Sequence, residues 1–148
     1  MMAADRQGTD EAEIVAIIHS IFKAFSDGDA DAMNATMDPQ GTVWDVFQPR
    51  LFRGLAERRQ FQKEDIAQSK ARGKLAIEIE DPVVDAWGDF AVARYYLRFR
   101  YDPPNAASGH VRITDVFRRD DGRWLRVHHH EGVVPSGIPP LDEAPGAA

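Results

Sequence analysis

The spacing of apolar residues along the chain predicts helices first and alternating strands afterwards. Isoleucine and phenylalanine recur at helical spacing between Thr9 and Ser26, and the Asp27-Gly28-Asp29 turn ends that helix. The same criterion predicts a short helix over residues 30–37 and a longer one over 54–69. Period-two alternation predicts strands over residues 42–47, 74–80 and 90–101.

The segment from His110 to Gly137 contains the strongest turn signal in the chain. Two alternating runs flank Asp121-Gly122, a dipeptide typical of a tight β-hairpin. Helices that precede and interrupt such a sheet predict the α+β class, with the helices packed on one face of an antiparallel sheet. We predict a single domain over residues 9–134, with poorly ordered ends at 1–8 and 135–148.

Two aspartates fall on strand faces that their apolar neighbours assign to the interior. Val43, Asp45 and Phe47 share one face, and Ile113 and Asp115 share another. Burial raises the pKa of a carboxyl group, which suits a general base or a neutral hydrogen-bond donor. We predict that both aspartates are catalytic and that their three apolar neighbours contact the substrate. The alternatives are a solvated or loop-capping acid at Asp45 and a buried salt bridge at Asp115.

The run of three histidines offers a further candidate. His129 shares the strand side of Val127, so we expect both to face the pocket, with His129 as a proton shuttle and Val127 as a substrate contact. Trp124 has the opposite parity, and a β-bulge would therefore reverse the assignment. His128 and His130 have a metal-compatible spacing, but the sequence suggests no third ligand, and we predict no metal site.

The strand over residues 90–101 separates an apolar face from a basic one. Tyr95 lies on the apolar face, where it is predicted to contact substrate or to be an ordinary core tyrosine. The basic face, which includes Arg94 and Arg98, is read as a solvated surface or as the interface of a homodimer. If Arg94 or Arg98 instead pointed inward, two acids and an arginine could activate water as in an epoxide hydrolase.

Composition narrows the classes of function. The net charge of -6 argues against nucleic acid as the main partner, and the absence of cysteine excludes disulfides and thiolate chemistry. The chain contains no apolar run of the roughly 18 residues that a membrane span needs, and its polar N-terminal segment lacks the apolar stretch typical of a signal peptide. We therefore expect a cytoplasmic protein that binds a small molecule and requires no cofactor.

Several segments resemble the nuclear transport factor 2-like superfamily, and within it the SnoaL-like and ketosteroid isomerase-like group. The association domain of calmodulin-dependent protein kinase II is similar in the same places. The segments are FSDGDADAM (25–33), MDPQGTVWDVF (37–47), RGLAERRQF (53–61) and TDVFRRDDGRWLRVHHH (114–130). The resemblance implies a cone-shaped α+β barrel, in which a strongly curved antiparallel sheet wraps around the N-terminal helices and encloses a pocket. It also implies a homodimer formed through the outer face of the sheet.

The resemblance assigns roles to individual residues. Asp45 matches the catalytic base of the steroid isomerases, and Asp115 matches the acid of their oxyanion hole. Ile21 stands where those enzymes have a tyrosine, and Asp115 stands where the kinase association domain has a basic residue. The implied function is a cofactor-independent isomerase, cyclase or lyase acting on an apolar, ring-containing molecule. The alternative is a non-catalytic module for small-molecule binding or assembly.

Overall fold

A computed structural model of the protein describes residues 3–142 and contains three helices and six strands. The helices are α1 (Ala3–Asp27), α2 (Ala30–Ala35) and α3 (Gly54–Lys70). The strands are β1 (Met37–Trp44), β2 (Phe52–Arg53), β3 (Leu75–Trp87), β4 (Phe90–Tyr101), β5 (Ala107–Asp120) and β6 (Arg123–Val133). No helix within the described part of the chain is long and apolar enough to cross a membrane.

The strands form one curved sheet, and the predicted α+β cone is confirmed. The strand order is β2-β1-β6-β5-β4-β3. The expectation of a purely antiparallel barrel is wrong in two respects, because β1 pairs with β6 in parallel and the sheet stays open between β2 and β3. The parallel pairing of β1 with β6 follows from the order of the strands along the chain. Since β1 and β6 are distant in sequence and no hairpin joins them, nothing requires them to be antiparallel.

The core lies between α1 and the inner face of the sheet. Ile14 and Ile18 of α1 are almost completely buried in the same apolar cluster as Tyr95 and Phe117. The predicted parity of β4 is confirmed, because its odd-numbered residues from 91 to 97 are buried and its even-numbered arginines are exposed. The described structure therefore leaves neither Arg94 nor Arg98 in the interior.

The hairpin between β5 and β6 forms as the Asp-Gly signal predicts. Asp121 and Gly122 have φ angles of 51° and 76°, the left-handed pair that a two-residue type I′ turn requires. A bulge lies further along β6, where Val116 pairs with His128 and Phe117 pairs with Arg126, which leaves Val127 as the extra residue. The side-chain alternation changes phase at this bulge.

Several element boundaries differ from the predicted ones. Helix α1 begins at Ala3 rather than Thr9, and the Gln7 side chain bonds to the backbone of Val84 and Ala86 at 3.2 Å each. Residues 3–8, predicted as a poorly ordered end, thus lie in the first part of this helix, and Gln7 among them contacts β3. Residues 1–2 and 143–148 of the predicted ends lie outside the described residues.

Candidate active site

The concave face of the sheet, α1 and α3 enclose a cavity of about 460 Å³. Most of its wall is apolar, with aromatic side chains from both helices and from β4. The same wall also contains polar and ionisable side chains, among them Asp45, Arg58, Gln62, Asp65, Arg126, His129 and Glu131. The cavity can therefore hold a small apolar molecule against a limited number of ionisable groups.

Asp45 lies in the cavity wall directly after β1, in a partly buried position. Its Oδ2 atom accepts a hydrogen bond of 2.8 Å from the backbone N–H of Phe47, and its carboxyl is also hydrogen-bonded to Glu131. Burial, together with the hydrogen bond and negative charge of Glu131, raises the pKa of Asp45 to about 7. Asp45 therefore holds a proton that it exchanges near neutral pH.

Glu131 is the anionic member of this carboxyl pair. Its Oε1 accepts from the backbone N–H of Val46 at 3.3 Å, and its Oε2 lies 3.2 Å from Nε2 of His129. Burial alone would raise the pKa of Glu131, but the hydrogen bond and charge of His129 outweigh burial and lower it to about 2. The two carboxyls consequently share one proton, and it resides on Asp45.

His129 connects Glu131 to Asp115, which is fully buried. Nδ1 of His129 lies 2.5 Å from Oδ1 of Asp115, and the Tyr95 hydroxyl donates to Oδ2 at 2.6 Å. Burial lowers the pKa of His129, yet the charge of Asp115 raises it to about 9, so the ring is a cation with both N–H groups donated. Nη1 of Arg126 lies 3.4 Å from the same Oδ1.

Asp115 behaves oppositely to the expectation for a buried carboxyl. Burial favours a raised pKa, but the charges of His129 and Arg126 and the hydrogen bonds from His129 and Tyr95 lower it. The salt-bridge alternative therefore describes its environment. Asp115 is an ionised carboxylate behind the cavity wall that fixes the orientation of His129.

The structure brings some of the predicted site residues to the cavity and leaves others behind it. Asp45, His129, Val43 and Phe47 are in the wall, and so is Ile21. The remaining predicted residues lie outside the wall: Tyr95, Ile113, Asp115 and Val127. Tyr95 and Ile113 are instead buried in one apolar cluster with Ile14 and Ile18 of α1, and the Phe22 ring packs edge-on against Tyr95 at 6.3 Å.

Sequence reasoning missed several ionisable residues of the wall, among them Arg126, Arg58 and Asp65. Simple alternation did not place Arg126 inward, because the bulge at Val127 changes the phase of β6. Arg126 faces inward on one side of the bulge and His129 faces inward on the other. Arg58 and Asp65 lie three and four residues from Phe61 on α3, so a helical wheel centred on that cavity-facing ring would have placed them inward. Burial and the charge of Glu131 raise the pKa of Asp65 to about 6.

The other two histidines of the triplet lie away from the cavity. Nδ1 of His128 is 2.6 Å from the Thr42 hydroxyl, and the rings of His128 and His130 are 6.3 Å apart. Among the residues that the structure describes, no group of three or more His, Cys, Asp and Glu side chains is arranged to hold a metal ion.

Comparison with known proteins agrees with this fold. The family model of the SnoaL-like domain matches residues 14–135. An NTF2-like protein of unknown function from Pseudomonas putida is 22% identical, with a TM-score of 0.76 over 89% of this chain and 98% of its own. A candidate dehydratase of the NTF2-like family from Streptomyces avermitilis is 17% identical, with a TM-score of 0.77 over 87% and 99%. The association domain of C. elegans CaMKII is 21% identical, with a TM-score of 0.69 over 87% and 99%.

Proposed function

The chain belongs to the SnoaL-like domain family, and from that premise we propose that it is a cofactor-independent enzyme that transfers protons on a small, apolar, ring-containing molecule. Isomerisation, cyclisation and elimination beside a carbonyl, hydroxyl or phenol group all begin with the removal of one proton. The proposal is limited to that shared step, because the family name does not distinguish the three outcomes.

The carboxyl pair of Asp45 and Glu131 is the observation that carries the proposal. The pKa of one group lies near 7 and that of the other near 2, although both are carboxyls in the same wall. Paired groups whose pKa values are driven apart are typical of acid/base catalysis, since a base is most effective when its pKa is close to the working pH. Asp45 would remove the proton and return it at a neighbouring atom.

Three hydrogen-bonded side chains behind Asp45 would hold the base in position. Glu131 supports Asp45, the His129 cation compensates Glu131, and Asp115 fixes the His129 ring from behind. His129 also reaches the cavity wall, where its charge would stabilise negative charge that develops on the substrate. This role matters here, because Ile21 supplies no hydroxyl at the position of the isomerase phenol.

The pH dependence of proton exchange tests the proposal. We expect the protein to incorporate deuterium from D₂O next to the carbonyl of at least one ring ketone or β-hydroxy ketone in a panel followed by NMR. Because only the unprotonated Asp45 can accept a proton, kcat/KM should rise as pH increases through about 7 and then level off. A panel without exchange, or a flat profile between pH 5 and 9, would leave the non-catalytic binding or assembly module as the better description.

We also propose that the protein forms a homodimer through the outer face of the sheet, where Tyr96 lies 40% exposed between arginines. Light scattering should give about twice the chain mass of 16.6 kDa. Tyr96→Glu should shift the mass toward that of one chain, whereas the exposed Leu55→Glu control, on α3, should not. A strict monomer at high protein concentration would contradict this assembly.

A further inference from the structure

We propose that the substrate carries a carboxylate, which Arg58 and Arg126 bind at the end of the cavity opposite Asp45. Both arginines lie in the cavity wall, and neither contacts Asp45 or Glu131, although Arg126 contacts His129 and Asp115. The inference rests on the proposed function only in naming Asp45 as the reacting end. The binding site itself is argued from the placement of the two guanidinium groups.

Three elements run side by side from a basic end of the cavity to an acidic one. The parallel register pairs Met37 with Arg126 and Val43 with His129, so β1 and β6 advance together. Arg58 contacts an earlier part of β1 than Asp45 does, because its Nη1 donates to the Gly41 carbonyl at 2.9 Å. The basic residues and the acids that follow them are Arg58 and Asp65 on α3, Arg126 and Glu131 on β6, and Asp45 after β1.

The separation of the two ends fits a small ring compound. Four residues along an extended strand, from Gly41 to Asp45, span roughly 13 Å. Seven residues along a helix, from Arg58 to Asp65, span roughly 10 Å. The wall between the ends is apolar and includes Val43 and Phe61. A substrate of one or two rings could therefore place an anionic group at one end and its reacting carbon at the other.

The burial of Arg58 without a contact ion pair indicates an anion-binding site. Its side chain is 1% exposed, yet it forms no ion pair with any carboxylate of the described residues. Its hydrogen bonds go to neutral oxygens, of Gly41 at 2.9 Å, Asn34 at 3.4 Å and Pro39 at 3.5 Å, and its Nη2 has no partner. The charge of Asp38 acts on Arg58 from a distance, but Asp38 forms its contact ion pair with Arg118, and a bound carboxylate would supply Arg58 with a direct one.

Arg126 provides the second donor at the same end. Its Nη1 lies 2.9 Å from Nδ1 of His129 and 3.4 Å from Oδ1 of Asp115. Its Nη2 faces only the Met37 sulfur at 3.9 Å, and its Nε has no partner among the described residues. Burial, and after it the repulsion between the charges of Arg58 and Arg126, lowers the pKa of Arg58. An anion between two guanidinium groups would relieve that repulsion and satisfy the free donors.

The acidic end would reject the same anion. Glu131 is ionised at neutral pH because its pKa is about 2, and Asp45 and Asp65 lie near it. A carboxylate placed there would meet like charge in a partly buried site. The charge distribution therefore selects one orientation, with the carboxylate away from the base.

A matched pair of probes tests the subsite on the unmodified protein. Cyclohexanecarboxylate and cyclohexanecarboxamide have nearly the same shape and differ in charge. By calorimetry at pH 7 the carboxylate should bind at least about tenfold more tightly, because charge-assisted hydrogen bonds exceed neutral ones. In ¹H–¹⁵N spectra it should shift the Nε–H signals of Arg58 and Arg126. Equal affinity for the two probes, or shifts confined to Arg72 at another part of the wall, would overturn the proposal.

Variants separate the charge of Arg58 from its contribution to the fold. Arg58→Gln should reduce carboxylate affinity toward that of the amide, without reaching it because Arg126 remains, and should leave amide affinity unchanged. Arg58→Lys, which retains the charge, should give a value between those of Arg58→Gln and the parent protein. Arg112→Gln removes an exposed arginine from the outer face of β5 and should change neither the carboxylate affinity nor the amide affinity. If Arg58→Gln fails to fold, the Arg58→Lys comparison and the spectra of the unmodified protein still decide the question.

Failure of this subsite and failure of the proposed function give different results. Turnover of neutral ketones without preference for the carboxylate probe would overturn the subsite and leave the enzyme assignment intact. Selective carboxylate binding in a protein without deuterium exchange on any substrate would support the subsite and contradict the enzyme assignment.

Discussion

Asp45→Asn is expected to lower turnover by ~10² to 10⁴, the usual cost of removing a positioned general base. The amide cannot accept the proton, but it has the shape of the protonated carboxyl that Asp45 presents below pH 7. Its N–H can still donate to Glu131, and its oxygen can still accept from the backbone N–H of Phe47. Ligand affinity and cooperative unfolding should therefore change little.

The same substitution should have a recognisable effect on stability. The pKa of Asp45 is raised from 3.8 to about 7 in the folded protein, so between these values the folded state binds more protons than the unfolded state. This group consequently lowers the free energy of unfolding as pH rises from 4 to 7. Asp45→Asn removes that loss, and at pH 8 the variant should be at least as stable as the parent protein in urea titrations.

A surface control distinguishes the base from a general charge effect. Asp120 is exposed at the end of β5, and Asp120→Asn makes the same chemical change far from the cavity wall. Its turnover and its stability at pH 8 should match those of the parent protein. Full activity in Asp45→Asn would end the assignment of Asp45 as the base, whatever its effect on stability.

Local patterns predict the scaffold well because they reflect local physics. Alternation on β4 assigns the buried and exposed faces correctly, and the φ angles of Asp121 and Gly122 follow from the preferences of those two residues in a tight turn. The parallel pairing of β1 with β6 depends on which strands meet after the chain has folded. Neither strand carries that information in its own sequence.

The positions of the site residues likewise depend partly on local sequence and partly on tertiary contacts. Parity places Asp45 inward, and it reaches the cavity wall. His129 also reaches the wall, but Val127, whose parity it was predicted to share, is the extra residue of the bulge and lies outside the wall. Parity cannot show that Asp115 lies behind the wall, because that depends on how closely α1 covers β5. Nor can it give the direction of the pKa shift of Asp115, which depends on the His129 and Arg126 side chains contributed by another strand. Arg126 itself is turned inward by a one-residue bulge.

Asp115→Asn should destabilise the fold by about 3–5 kcal/mol at pH 6, since removing one partner of a buried ion pair leaves the others uncompensated. His129 and Arg126 would keep their positive charges beside a neutral amide, and the Tyr95 hydroxyl would lose a charged acceptor. Urea titration measures the loss. The exposed Asp85→Asn control, which breaks a surface pair with Arg94, should cost no more than about 1 kcal/mol.

The pH dependence of that loss identifies its cause. The pKa of His129 is raised from 6.5 to about 9 in the folded protein, so the stability that its ion pairs contribute is complete below pH 6.5 and disappears as pH rises through 9. The parent protein should accordingly become less stable between pH 6.5 and 9. Asp115→Asn removes the main cause of the raised pKa, so the deficit of the variant should shrink over the same interval. A deficit that grows with pH, or a loss at pH 6 no larger than that of Asp85→Asn, would show that Asp115 does not hold His129 as a buried cation.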